Sequence, residues 1–175
     1  LLDEFSRTFQ LTRYDQRGNG LSDWTLRNSF LDAFVDDLEA VVDAENLDRF
    51  ALYGTSQGAP IAISYAVRHP DRVSHLVLHG GYAVGRNLRD SDAEREQGDA
   101  ILALMRHGWG KEGSSFIKAF TSLYIPDATK EQMDSLVDLQ AKTVSRRVLK
   151  CTLRSLCISA GAPPLRNRAF RSPVK

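Results

Sequence analysis

The chain alternates between short apolar runs and longer amphipathic segments. Three short runs, residues 9–14, 50–53 and 73–78, are rich in β-prone side chains, which predicts strands. Between them, apolar residues recur at helical spacing over residues 28–45 and again over 59–67. Because strands that alternate with helices pair in parallel, the pattern predicts an α/β fold with helices on both faces of a parallel sheet.

The period changes after Gly85, where three longer helical patterns replace the strands. The predicted helices cover residues 86–106, 114–124 and 129–149. Thr129 is followed by Gln132 in a capping-box pattern, which marks the start of the third helix. A helical insertion after a strand end predicts a lid over a pocket, and the alternative is that these helices simply extend the core.

These patterns divide the chain into three parts. We expect an α/β core over residues 1–85, a helical lid over 86–150 and a basic, irregular tail over 151–175. No acidic residue follows Asp138, whereas nine of the 23 lysines and arginines do. Since that basic stretch lacks interleaved aromatic residues and any recognisable module, we expect no nucleic-acid partner.

Composition limits the classes of protein to which the chain could belong. A length of 175 residues with 42% hydrophobic content fits one domain with a substantial core. There is no apolar run of about 18 residues, so we expect no membrane span. The absence of a basic-then-apolar signal segment, and two cysteines with no metal or disulfide spacing, favour a cytoplasmic protein. No metal or nucleotide motif is present in the sequence, so we expect no cofactor.

The stretch over residues 53–58 carries the candidate chemistry. It reads Gly-x-Ser-x-Gly, and it lies between a predicted strand and a predicted helix, which is the context of a nucleophile elbow. We expect Ser56 to adopt a strained backbone conformation, and we expect Gly54 and Gly58 to remove side chains that would collide with neighbouring elements. Ser56 would then stand at a helix N-terminus, which favours an anionic oxygen. The alternative is a strand-to-helix turn that happens to contain a serine.

Two further segments strengthen the interpretation of residues 53–58 as an elbow. Residues 13–23 resemble the Asp-x-Arg-Gly-x-Gly-x-Ser loop of the α/β-hydrolase superfamily, and residues 53–58 are similar to its elbow. His69-Pro70, followed by the run at 73–78, is similar to the helix end and strand that come next in that family. The resemblance is greatest to a bacterial carboxylesterase-like branch. It implies a partial α/β-hydrolase fold, with a parallel sheet flanked by helices and a helical lid insertion.

The resemblance also implies roles for particular residues. In the family, a serine attacks an acyl carbonyl, a histidine takes its proton and a carboxylate orients the histidine. Ser56 would be the nucleophile, and the backbone N–H of Gln57 would be one oxyanion donor. The implied function is a carboxylesterase-like serine hydrolase that cleaves small carboxylic esters through an acyl-enzyme.

The chain lacks several residues that act together with the serine in the family. It has no match for the second oxyanion donor, for the family histidine or for the family carboxylate, so it resembles a relative truncated at both ends. His79 ends a strand at the same sheet edge as Ser56 and is the candidate base, although it could instead pack beneath the lid. Asp15 and Asp23 follow the first strand, and we expect Asp15 to hold its loop.

The same departure affects the sheet. A missing family strand would leave a gap of about 10 Å between the first two predicted strands, given a spacing of about 4.8 Å. Either the strands re-pair, or another chain fills the gap, or the chain is a fragment. Exposed strand edges invite association, so a homo-oligomer formed through them is one of these alternatives. Two alternatives to the esterase remain, namely a catalytically impaired binding or interaction domain and a site completed by a partner chain.

Overall fold

The structure is a computed structural model that describes residues 2–25, 31–82, 84–85, 90–109, 111, 113–144 and 148–149. The predicted tail over residues 151–175 lies outside the described residues. The elements, in chain order, are α1 (Leu2–Thr8), α2 (Leu31–Ala44), β1 (Phe50–Thr55), α3 (Gly58–Arg68), β2 (Val73–His79), α4 (Asp92–Gly108), α5 (Ser115–Ser122) and α6 (Lys130–Thr143). No helix in the described part of the chain is long and apolar enough to cross a membrane.

The two strands form a parallel pair flanked by helices, which confirms the predicted class of fold. Leu52 of β1 lies opposite Leu76 of β2, and Thr55 lies opposite His79 at the carboxyl end. Helix α3 packs on both strands, and α2 packs on α3. On the opposite face of β1, the ring of Phe5 from α1 meets the ring of Tyr53 edge-on, with centroids 6.0 Å apart.

The main core lies between these helices and the sheet, where alternate residues of β1 point inward. Its buried residues are Phe34, Val35, Leu38, Val42, Leu52, Ile61, Ala62, Tyr65, Ala66 and Val73. Helix α3 is buried from Ala59 to Ala66, which explains why its apolar run is nearly continuous in the sequence. The core therefore fixes both ends of the turn that joins β1 to α3.

The predicted strand over residues 9–14 is wrong. This segment has no regular secondary structure, and Phe9 is 65% exposed. The described sheet has only two strands, and a cavity separates residues 14–19 from β1. Since a strand needs a neighbour for its N–H and C=O groups, a β-prone segment that lies beyond a cavity cannot join the sheet.

The helices that follow build a second core. Trp109, Ile117 and Phe120 are buried with Met105, Val144 and Val148. The predicted capping box is confirmed, because the Thr129 hydroxyl accepts from the Gln132 N–H while the Gln132 side chain accepts from the Thr129 N–H.

Helix α6 ends earlier than the predicted residue 149. Val144 is extended and forms an antiparallel bridge with Asn19, and the Gly20 N–H donates to the Thr143 carbonyl at 2.7 Å. The Trp109 indole N–H also donates to the Val144 carbonyl at 2.8 Å. These bonds take up the backbone groups that a longer helix would use, and they attach the helices to the loop over residues 15–24.

Candidate active site

Ser56 occupies the turn between β1 and α3 in the conformation that the elbow pattern predicts. Its φ is +49°, a left-handed value that a side-chain-bearing residue rarely adopts. Its N–H donates to the His79 carbonyl at 3.0 Å, and its carbonyl accepts from the Ala59 N–H at 3.1 Å. Ser56 itself is exposed. The turn therefore presents an accessible hydroxyl on a backbone that is fixed on both sides.

Close packing around the turn requires glycine at position 54. A Cβ on Gly54 would lie 2.7 Å from the Gly58 carbonyl oxygen and 2.9 Å from the Ala62 Cβ. The same expectation for Gly58 is wrong, because a Cβ there would meet no atom within 4 Å. Gly58 borders a cavity rather than a neighbouring element, so nothing is close enough to collide.

A glycine that the sequence analysis did not single out is needed instead. A Cβ on Gly81 would lie 2.1 Å from the Ala59 Cβ, at the first turn of α3. The signal in the sequence was the Gly80-Gly81 pair directly after the strand. Gly81 therefore allows the segment after β2 to pass close beside the elbow.

Gln57 stands at the N-cap of α3 with helical dihedrals, φ −59° and ψ −27°. Within the described residues, its backbone N–H donates no hydrogen bond to another backbone group or side chain. An N–H group at a helix start is oriented away from the helix and favours a negative charge. The Gln57 N–H is thus available to an acceptor beside Ser56.

His79 is the last residue of β2 and lies beside the elbow. Its Nδ1 is 2.9 Å from the Tyr53 phenol oxygen, and the two ring centroids are 6.4 Å apart. Sequence reasoning missed Tyr53, since its proximity to His79 depends on the strand register. Tyr53 lies opposite Val77, so the Tyr53 ring projects from the same face of the sheet as the residue two places later, His79.

The other three histidines lie elsewhere. The His69 N–H caps α3 by donating to the Tyr65 carbonyl at 2.8 Å. His75 is exposed near the start of β2, and the His107 ring lies 6.3 Å from the Phe116 ring in the helical part. His79 is therefore the histidine that the fold brings next to Ser56.

The two candidate carboxylates serve their own loop. Asp15 Oδ2 accepts from the Leu21 N–H at 3.0 Å, and the Asp15 carbonyl accepts from the Ser22 hydroxyl at 2.5 Å, which confirms the expected structural role. Asp23 Oδ1 accepts from the Thr25 N–H at 2.8 Å. In the part of the chain that the structure describes, neither carboxylate bonds to a histidine.

An ion pair fixes this loop against α2. The Arg17 Nε donates to Asp37 Oδ2 at 2.8 Å and its Nη2 donates to Oδ1 at 2.6 Å. The hydrogen bond that Arg17 donates to the Asp37 carboxylate raises the pKa of Arg17 above its ordinary value. Nearby, burial and the negative charge of Asp37 raise the pKa of Tyr14 to about 12. The pair therefore holds the loop against α2.

A cavity of about 310 Å³ opens between this loop and β1. Its apolar wall comes from α2, β1 and α3, and its polar wall comes from the loop. The lining residues are Tyr14, Asp15, Gln16, Asn19, Leu38, Leu52, Tyr53, Thr55, Gly58, Ile61 and Ala62. Thr55 and Gly58 flank the elbow, so this cavity lies beside Ser56. Helices α4 to α6 contribute none of these residues, and a lid role for them stays a prediction.

The described residues contain no group of three or more histidine, cysteine, aspartate or glutamate side chains that could hold a metal ion. At the elbow, the arrangement brings together an exposed serine, a neighbouring histidine and a backbone N–H that has no partner among the described residues.

Comparison with known proteins identifies the family. The model of the α/β hydrolase fold family matches residues 1–110, which is more than half of the chain. The chain therefore belongs to the α/β hydrolase fold family. Its members that resemble it here carry several different activities in their names.

Two curated relatives illustrate that range. The chain is 31% identical over 114 residues to the 1-acylglycerol-3-phosphate O-acyltransferase of Arabidopsis thaliana, a match that covers 61% of this chain and 27% of that protein. It is 33% identical over 85 residues to the 2-hydroxymuconate semialdehyde hydrolase of Pseudomonas sp. (strain CF600), which covers 48% of this chain and 30% of that protein. Both matches span less than a third of the relative's own length.

A solved structure supports the fold. The esterase from Exiguobacterium antarcticum superposes with a TM-score of 0.69 and 22% sequence identity, over 83% of this chain and 55% of that one. At this level of identity the similarity shows the architecture alone.

Proposed function

We propose that this chain is an esterase-type serine hydrolase that cleaves small carboxylic esters through an acyl-enzyme on Ser56. The observation that carries the proposal is the exposed serine held at φ +49° between β1 and α3. A strained, fixed turn that presents a hydroxyl beside a cavity is the arrangement that a nucleophile needs. The hydrolase names among the relatives agree with this class of reaction.

The chemistry would proceed in two halves. The Ser56 hydroxyl oxygen bonds to the acyl carbon while its proton passes to the His79 Nε2, and the carbonyl oxygen becomes an oxyanion that the Gln57 N–H stabilises. The ester bond then breaks, and the alcohol leaves with the proton from His79. In the second half, water attacks the acyl-serine through the same proton route, which releases the acid and restores the Ser56 hydroxyl.

Tyr53 would set the tautomer that this route requires. If the His79 Nδ1–H donates to the Tyr53 oxygen, the Nε2 lone pair is free to accept a proton. The 2.9 Å distance between Nδ1 and the phenol oxygen suits that bond. Tyr53 would then act as a positioning residue, where the wider family uses a carboxylate.

The second candidate function is a binding domain without catalytic activity. It is favoured by the carboxylates around the site, because Asp15 and Asp37 already bond to their own loop and to Arg17. His79 is then left with the phenol of Tyr53, and a neutral phenol stabilises an imidazolium less than a carboxylate does. Such a domain would keep the cavity beside the elbow and lack turnover.

Hydrolysis of p-nitrophenyl acetate by the 175-residue chain separates the two functions. The wild type should release p-nitrophenol in a burst followed by steady turnover, whereas Ser56→Ala should lose about a thousandfold or more of the rate. Ser74→Ala is the matched control at the other end of the sheet and should retain the wild-type rate. Equal hydrolysis by Ser56→Ala and the wild type would contradict the esterase and leave the binding domain.

A further inference from the structure

The loop over residues 15–24 contains the dipeptide Asn19-Gly20, which the proposed reaction does not use. When glycine follows asparagine, the next backbone nitrogen can attack the side-chain amide most easily, because glycine has no side chain to shield that nitrogen. Asn19 is half-buried, so water can reach it. The dipeptide is therefore chemically labile wherever its backbone is free to move.

The fold itself requires the glycine of this pair. Gly20 has a φ of +53°, and a Cβ there would lie 2.1 Å from Asp15 Oδ2. The Asp15 carboxylate is held in turn, since it accepts from the Leu21 N–H at 3.0 Å. Position 20 therefore needs glycine, and the labile pair is built into the loop.

Hydrogen bonds hold both reacting groups in the folded chain. The Gly20 N–H donates to the Thr143 carbonyl at 2.7 Å, and the Gly20 carbonyl accepts from the Trp24 indole N–H at 3.0 Å. The Asn19 Nδ2 donates to the Arg17 carbonyl at 3.3 Å. The nitrogen that would attack and the amide that it would attack are thus each bonded to another group.

The bond between Gly20 and Thr143 is supported by the helical part of the chain. Val144 forms an antiparallel bridge with Asn19, and its carbonyl accepts from the Trp109 indole N–H at 2.8 Å. Trp109 is only 4% exposed and belongs to the second core. We call the pairing of residues 19–20 with residues 143–144 the clasp. A buried residue of α4–α6 therefore holds the end of α6 on the loop.

We infer that Asn19 is a deamidation site that the clasp controls. The reaction is blocked while the Thr143 carbonyl holds the Gly20 N–H, and it proceeds when the end of α6 leaves the loop. The Gly20 nitrogen then bonds to the Asn19 Cγ, its proton leaves with the side-chain nitrogen as ammonia, and a cyclic imide forms. Water opens the imide to aspartate or isoaspartate. This inference does not depend on catalysis by Ser56.

The products weaken the clasp that controls their formation. Isoaspartate adds one carbon to the main chain between positions 19 and 20, which moves the Gly20 N–H away from the Thr143 carbonyl. Aspartate lacks the side-chain donor that Asn19 uses towards the Arg17 carbonyl, and it places a negative charge there. Because the ammonia is lost to solvent, the modification is a one-way release of the end of α6 from the loop.

Peptide mass spectrometry of the 175-residue chain, incubated at mildly alkaline pH, tests the inference. Trypsin releases residues 18–27, in which Asn19 is the only asparagine. Deamidation should be slower in the native chain than in the urea-denatured chain. The factor should match the protection of the Gly20 amide from hydrogen exchange, measured by NMR, because both reactions need the same opening. Native and denatured chains that deamidate equally fast, or two factors that differ by about tenfold or more, would overturn the inference.

Trp109→Phe tests whether the clasp is the control. The variant keeps an aromatic ring in the second core and removes the donor to the Val144 carbonyl. Deamidation of Asn19 in the native chain should rise about threefold or more, since one hydrogen bond that closes the clasp is lost. Ser122→Ala removes a hydroxyl that bonds within α5, to the Ala119 carbonyl, and should deamidate as the wild type does.

A second asparagine distinguishes opening of the clasp from general unfolding. Asn46 is followed by Leu47, whose N–H donates to the Val42 carbonyl at 3.0 Å, far from the clasp in the sequence. Its deamidation should not respond to Trp109→Phe, and Asn19→Gln should abolish the mass change in residues 18–27. An Asn19 rate that is unchanged in Trp109→Phe, or that rises only together with the Asn46 rate, would contradict control by the clasp.

Discussion

Tyr53 and His79 connect the ends of the two strands through a contact of 2.9 Å between the phenol oxygen and the imidazole Nδ1. Either partner can donate the proton, and the choice decides what Nε2 can do. A Tyr53 hydroxyl that donates leaves the proton on Nε2, whereas a Tyr53 oxygen that accepts leaves Nε2 free as a base. The rings are held from one side by Phe5, whose edge meets the Tyr53 ring.

Tyr53→Phe tests whether this contact positions the base. The variant keeps the ring against Phe5 and removes only the oxygen. We expect kcat for ester hydrolysis to fall about tenfold with KM unchanged, since a positioned general base contributes about a hundredfold or more. His79→Ala should lower kcat further, by about a hundredfold. A Tyr53→Phe enzyme with the wild-type kcat would show that the contact has no part in turnover.

The two glycines near the elbow should respond differently to alanine. Gly81→Ala places a Cβ 2.1 Å from the Ala59 Cβ, so the segment or the helix must move. We expect a loss of about 1–3 kcal/mol in the free energy of unfolding, measured by urea denaturation. Gly58→Ala meets nothing within 4 Å and should stay within about 0.5 kcal/mol of the wild type. Equal effects of the two changes would refute the packing account.

The ion pair between Arg17 and Asp37 should contribute more than an exposed pair on α1. The Arg17 and Asp37 side chains are 33% and 21% exposed, whereas those of Arg7 and Glu4 are 74% and 73% exposed. Asp37→Asn should lower the free energy of unfolding by about 1–2 kcal/mol, because charged hydrogen bonds to the guanidinium are lost. Glu4→Gln should change it by less than about 0.5 kcal/mol. If both variants unfold at the same urea concentration, the loop does not depend on this pair.

Stability should fall at high pH in part through Tyr14. Its pKa is raised from 10.0 to about 12 in the folded chain, so the folded state holds this proton after the unfolded state has lost it. The contribution is fully present below pH 10 and is lost as the pH rises to about 12. Urea unfolding of the wild type and Tyr14→Phe across that window should show a steeper decline for the wild type. Parallel declines would mean that Tyr14 titrates as an unperturbed phenol.

Local patterns were sufficient to predict β1, β2, α3 and the capping box at Thr129, because each depends on residues close together in the chain. The strand at residues 9–14 was wrong because a strand needs a neighbour, and local β-propensity does not supply one. Likewise, the need for glycine at position 81 arises from Ala59, which is distant in the sequence.

The candidate site, too, could be predicted from the sequence only in part. Ser56 and its strained turn follow from five consecutive residues, and the structure gives that turn a φ of +49°. The contact between Tyr53 and His79 depends on the register between two strands, which no spacing in the sequence specifies. The cavity between the loop and β1 depends on the packing of α2 and α3, which lie apart in the sequence.

Covalent labelling of the folded chain by a fluorophosphonate probe, read by mass spectrometry, tests whether Ser56 is a nucleophile. The proposal predicts one adduct per chain, on the Ser56 hydroxyl, that disappears in Ser56→Ala and slows in His79→Ala. Ser22→Ala, whose hydroxyl bonds to the Asp15 carbonyl, should label as the wild type does. A folded chain that carries no label on Ser56, or that labels equally after Ser56→Ala, would contradict the assignment of Ser56 as a nucleophile.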